Sequence, residues 1–138
     1  MKELIIVATV ENLDTVSDFI NTELKKSGCT LKMQNRIGIA VEEIFVNISN
    51  YSYKPEIGNV SVRIAVGDDV TIEFEDNGVP YNPLDKEDPD ITVSAAMREV
   101  GGLGIFMVKQ IMDSMEYRRE GGRNILTMRK TKWRERAC

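Results

Sequence analysis

The stretch Ala40-Val41-Glu42-Glu43-Ile44-Phe45-Val46-Asn47 sets two carboxylates and an amide among apolar residues at helical spacing. Ile37, Ala40, Val41, Ile44, Phe45 and Ile48 recur at the 3.6-residue period, which predicts one long amphipathic helix from about Leu31 to Tyr51. Glu43 and Asn47 lie four residues apart and project from one face of that helix. Each directly precedes a residue of the apolar stripe, so the pair borders the core. A carboxylate there can polarise a hydroxyl or water, and an amide oxygen can ligate a hard cation. By itself the pair reads first as a solvated helix flank.

Outward from this helix the pattern alternates between the two secondary-structure periods. On the N-terminal side, Leu4 to Val10 reads as a strand. Glu11-Asn12-Leu13-Asp14 then offers an N-cap to a helix carrying Val16, Phe19, Ile20 and Leu24, which ends with Lys25, Lys26 and Gly28. On the C-terminal side, Pro55 and Gly58 break the pattern. Val60-Ser61-Val62-Arg63-Ile64-Ala65-Val66 alternates as a strand, Gly67-Asp68-Asp69 turns, and Val70 to Glu75 returns. From Val79 to about Val100 the chain is rich in Pro and Asp, with a short helix expected around Val93 to Met97. A structureless stretch of that length is usually functional or mobile. Gly101-Gly102-Leu103-Gly104 opens a helix with Phe106, Val108, Ile111 and Met112. Met115 to Arg119 and Asn124 to Lys130 form a closing hairpin around Glu120-Gly121-Gly122-Arg123. The order β-α-α-β-β-loop-α-β-β predicts an α+β fold over residues 1–138 as a single domain. It is a two-layer α/β sandwich in which a mostly antiparallel, mixed sheet carries its helices on one face.

Two further clusters can carry chemistry. Asp76 ends a strand just before Asn77-Gly78, where its carboxylate can accept a hydrogen bond from an exocyclic amine while Gly78 lets a flat ring approach the backbone. Asp-Asn-Gly is also one of the commonest turn signals. The glycines of 101–104 precede an apolar helix, where free backbone N–H groups meet the positive end of the helix dipole and bind phosphate well. A plain glycine hinge has the same composition. This box lacks the Gly-Lys-Ser/Thr ending of a P-loop and the βαβ frame of a dinucleotide turn.

Composition narrows the chemistry. The 138 residues are 42% hydrophobic and 29% charged with a net charge of −4, so no basic footprint invites nucleic acid or an anionic membrane. The one basic cluster, from Arg129 to Arg136, reads as a solvated C-terminal extension. There is no histidine, which removes Ser-His-Asp, Cys-His and His-zinc chemistry and leaves carboxylates, amides, hydroxyls, lysine and oxygen-ligated metal. Cys29 and Cys138 lack metal-ligand spacing and read as reduced thiols. Met1-Lys2-Glu3-Leu4-Ile5-Ile6-Val7 has neither a signal-peptide apolar region nor a cleavage site, and no apolar run reaches about 20 residues. The expectation is a cytoplasmic protein.

The order of these clusters is more specific than any one of them. A helical Glu-x-x-x-Asn (Glu43, Asn47), a strand-terminal Asp-x-Gly (Asp76, Gly78), a long loop, and Gly-x-Gly at a helix start (Gly102, Gly104) resemble the superfamily that includes DNA gyrase, sensor histidine kinases and MutL. Within it the chain is most similar to stand-alone anti-sigma-factor serine/threonine kinases of the RsbW type, over nearly its whole length. The resemblance implies a histidine-kinase-like ATPase fold with ATP and Mg2+ as cofactors. It makes Glu43 the catalytic base and Asn47 the magnesium ligand, and it gives the adenine amino group to Asp76. Gly78 shapes the adenine pocket, with Thr127 on the last strand as a further adenine-pocket candidate. Gly102, Leu103 and Gly104 bind phosphates through their amides, and Asp85 to Val100 form a lid. A homodimer is implied, with an antagonist protein and a sigma factor as partners. Two positions depart from the pattern. Pro80 stands where many members carry a second glycine. Val100 stands where many RsbW-type kinases carry a γ-phosphate arginine, with Arg98 two residues earlier. Two functions follow: phosphorylation of a partner serine, or a nucleotide-gated binding module with little or no kinase activity.

Overall fold

Alternating valines and isoleucines build the centre of the sheet in a computed structural model that describes residues 1–53, 56–85, 102–131 and 133. Among these residues the strands are β1 (Lys2–Val7), β2 (Asn59–Val66), β3 (Val70–Asp76), β4 (Ser114–Glu120) and β5 (Arg123–Lys130). They form one sheet in the order β1-β2-β3-β5-β4. The mostly antiparallel sheet expected from the sequence is antiparallel in all four described pairings. The period of two sends Val60, Val62 and Ile64 of β2, Ile72 and Phe74 of β3, and Leu126 and Met128 of β5 into one buried face.

Helices α1 (Leu13–Lys26), α2 (Leu31–Asn47) and α3 (Gly102–Ile111) supply the other side of the core. The stripe on α2, from Ile37 to Phe45, is fully buried with Val16, Ile20 and Leu24 of α1 and Ile105 and Val108 of α3. α2 packs against both other helices and is the spine of the layer. Thr30 caps it, accepting a hydrogen bond from the Met33 amide at 3.2 Å.

Several boundaries differ from the sequence reading for identifiable reasons. β1 stops at Val7 because its partner strand ends at Asn59; beyond it the Ala8 amide bonds Gly58 and a 3-10 turn takes Val10–Asn12. Asn12 precedes α1 but does not cap it with its side chain, which donates to the Val7 carbonyl instead. The helix expected to run to Tyr51 is α-helical to Asn47 and then widens into a π-turn over Ile48–Ser52. The basic tail is not simply a solvated extension. Arg129 and Lys130 belong to β5, and Trp133 is buried with its indole N–H donating to the Gly67 carbonyl at 3.0 Å. A large apolar ring within reach of the β2–β3 turn buries more favourably than it solvates.

Candidate nucleotide site

The two neighbouring glutamates of α2 part company in the structure. Glu42 is exposed and accepts a hydrogen bond from Ser17 of α1 at 3.2 Å. Glu43 turns towards α3, where a β-carbon added to Gly104 would lie 2.2 Å from its Oε2. The carboxylate therefore rests against the first turn of α3, beside the backbone where Gly102, Leu103 and Gly104 begin the helix. The amides of a first helical turn have no partner within the helix.

One turn further along α2, Asn47 is 3% exposed. Its amide nitrogen donates to the Glu43 carbonyl at 2.6 Å, which fixes the orientation of the amide. Its Oδ1 accepts from the Tyr81 hydroxyl at 3.0 Å. A carbonyl oxygen has two lone pairs, so one remains for a cation, and the residue fits a single magnesium contact. The Tyr81 ring stacks on Tyr51 with centroids 5.1 Å apart, and burial followed by the neighbouring Tyr51 pushes its phenol up to about 12.

Asp76 ends β3 on the inward row set by Ile72 and Phe74, and only 3% of it is exposed. Its Oδ1 accepts from the Gly78 amide at 2.9 Å and from Asn124 Nδ2 at 2.9 Å. Burial raises the carboxyl above its ordinary value, against the lowering by Asn124, the Gly78 amide and the nearby Arg119 guanidinium. Asn124 faces Asp76 directly across the β3–β5 ladder and gathers further bonds. It donates to the Val79 carbonyl at 2.8 Å, while its Oδ1 accepts from the Tyr81 amide at 3.2 Å and the Tyr117 hydroxyl at 2.5 Å. Ile48, Ser52, Phe74, Asp76, Tyr81 and Asn124 are among the residues around a cavity of about 10 Å³, room for one water. A purine is far larger than the cavity and enters only where the lining residues move apart.

Two further expected site residues have close neighbours of their own. A β-carbon on Gly78 would lie 2.3 Å from the Ser52 carbonyl oxygen, so the backbone of the π-turn approaches this glycine closely. Thr127 does not join the cavity. It pairs with Glu73 across the sheet and donates to that carboxylate at 2.9 Å, on the face opposite Asp76. The odd spacing from Asn124 to Thr127 forces this, since only alternate residues share a face. Asn124 was the residue to find: an amide at the inward position of a strand whose next inward residues are Leu126 and Met128. Ser52 and Tyr81 sit in segments without periodicity and gave no such signal. The expected lid beyond Asp85, the short helix at 93–97, Arg98, Val100 and Cys138 lie outside the described residues. No described helix is long and apolar enough to cross a membrane.

With an α2 carboxylate and amide, a buried aspartate at a strand end and a glycine-led helix in place on this fold, the family model for the histidine kinase-like ATPase domain matches residues 6–130. The chain belongs to that family. Among curated proteins it is similar to serine-protein kinase RsbW of Bacillus cereus (strain AH187), 28% identical over 93 residues, which are 64% of this chain and 58% of that protein. It is also similar to serine-protein kinase RsbW of Listeria monocytogenes, 26% identical over 74% of this chain and 69% of that protein. The chain thus spans less than two thirds of the Bacillus kinase. Among solved structures, the RsbU and RsbW domains of a Mycobacterium tuberculosis protein share the fold with a TM-score of 0.60 at 16% identity, covering 94% of this chain and 32% of that one. The histidine kinase domain of a blue-light-activated kinase from Erythrobacter litoralis does so with a TM-score of 0.55 at 17% identity, over 88% and 59%.

Proposed function

We propose that this chain binds ATP with magnesium and transfers the terminal phosphoryl group to a serine on a regulatory partner. In this reading it works in the cytoplasm as a homodimeric partner-switching kinase, with an antagonist protein as acceptor and a sigma factor as the released regulator. The carrying observation is the placement of Glu43 against Gly104 with Asn47 buried one turn away. These side chains and the start of α3 fit one magnesium–triphosphate group. The resemblance to named serine-protein kinases supports the acceptor class.

Phosphoryl transfer asks chiefly for positioning and charge neutralisation. The α3 amides hold phosphate oxygens, and Asn47 offers its free lone pair to the ion. Magnesium, when bound, neutralises charge on the phosphate oxygens. The serine oxygen attacks the γ-phosphorus as the bond to the β–γ bridging oxygen breaks. The serine proton passes to the Glu43 carboxylate, and ADP leaves with the bridging oxygen. Because Glu43 meets the acceptor only during transfer, Glu43→Ala should leave nucleotide affinity within a few-fold and lower partner labelling by about 10²–10⁴. The assay is radiolabelled ATP with the co-purified partner, run on parent and variant together. Equal labelling in both removes Glu43 from the mechanism. ATP-dependent partner binding without labelling in the parent makes the protein a nucleotide-gated module.

A further inference from the structure

Ser52 is 3% exposed, and its hydroxyl has no hydrogen-bond partner among the described residues. A buried hydroxyl left unpaired destabilises a fold relative to an apolar side chain of similar size. The residue lines the same cavity as Asp76. It stands near enough to favour the aspartate charge without making a hydrogen bond of proper geometry to it. Its backbone is held firmly, with the carbonyl accepting from the Val79 amide at 3.0 Å and lying too close to Gly78 for any β-carbon there. The hydroxyl is therefore carried by a held backbone in the lining of the cavity.

We infer that Ser52 is a second nucleobase-reading residue, its hydroxyl donating to the ring nitrogen beside the amino group that Asp76 accepts, so that the pocket selects a 6-aminopurine. The inference rests on the nucleotide-binding reading above and adds a residue that reads the base. The hydrogen bonding of Asp76 sets what stands beside that hydroxyl. Both bonds from Gly78 and Asn124 end on Oδ1, which fills that oxygen and leaves Oδ2 for incoming donors. Guanine presents two adjacent N–H donors that suit both oxygens of a carboxylate. Adenine presents one amino donor next to one acceptor nitrogen, matching a single carboxylate oxygen beside a hydroxyl.

The test is calorimetric titration of the parent and Ser52→Ala with ATP, 1-deaza-ATP (the ring nitrogen replaced by C–H) and GTP, with thermal melting of both free proteins. The parent should bind ATP about three- to tenfold more tightly than 1-deaza-ATP, the range of one neutral hydrogen bond, and GTP more weakly still. Ser52→Ala should bind ATP and 1-deaza-ATP equally, near the parent's affinity for the deaza compound, and the free variant should melt no lower than the parent. A parent that binds ATP but does not discriminate against 1-deaza-ATP or GTP overturns the inference, the hydroxyl then holding a water only. So does a variant that keeps the parent's preference, or one that loses both ligands equally and melts lower, which is a structural role. A parent that binds no nucleotide overturns the nucleotide reading itself.

Discussion

Asp76 shows at the scale of one residue how site chemistry opposes stability. The carboxylate is buried, and two donors and a guanidinium only partly offset the loss of water. Its folded value lies above the unfolded one, so the native state binds the extra proton between the two, and unfolding free energy falls as pH rises through that window. Asp76→Asn keeps an oxygen for the Gly78 and Asn124 donors and removes the charge. The free variant should melt higher than the parent at neutral pH, with the gap closing as pH falls through the raised folded value towards the ordinary carboxylate range. Melting curves across pH check this, and a variant less stable at pH 7 would show that the charge holds the loop in place. The sequence placed this aspartate at a strand end from its spacing to Gly78. The inward row of Ile72, Phe74 and Asp76 was equally readable, whereas its partner Asn124 required the β3–β5 register, which no local pattern supplies.

Elements place these residues, and glycines mark where elements touch. A β-carbon on Gly78 meets backbone, the Ser52 carbonyl, while one on Gly104 meets only the end of the Glu43 side chain. Backbone cannot move aside cheaply and a carboxylate can. Gly78→Ala should therefore destabilise by about 1–3 kcal/mol. Gly104→Ala should keep the fold within about 0.5 kcal/mol and displace Glu43, lowering phosphotransfer. Denaturant unfolding of both variants separates the two cases, and equal destabilisation would contradict them. The long α2 helix was legible because its stripe is strictly periodic from Ile37 to Ile48. The π-turn after it was not, because its geometry follows from the Ser52 carbonyl meeting the Val79 amide, a contact between distant segments.

Over the whole molecule, the sheet order β1-β2-β3-β5-β4 brings both the Asp76 end of β3 and the Asn124 end of β5 to the edge of α2 where Asn47 lies. Trp133 closes the opposite region by its bond to Gly67, so Trp133→Ala should lower stability by about 3–5 kcal/mol with a lowered denaturant midpoint. Charge patterning alone hid this, since the tail reads as a mainly basic cluster around one tryptophan. In the function proposed above, the Glu43–Asn47 face and the Asp76 cavity form one magnesium–nucleotide site. Calorimetric titration of the parent, Asp76→Asn and Asn47→Ala with ATP, with and without magnesium, tests it directly. Asp76→Asn should lose more than about tenfold in affinity under both conditions, the loss of a charge-assisted hydrogen bond. Asn47→Ala should bind metal-free ATP like the parent and gain nothing when magnesium is added. Unchanged affinity in Asp76→Asn, or the parent's full magnesium response in Asn47→Ala, would contradict the account.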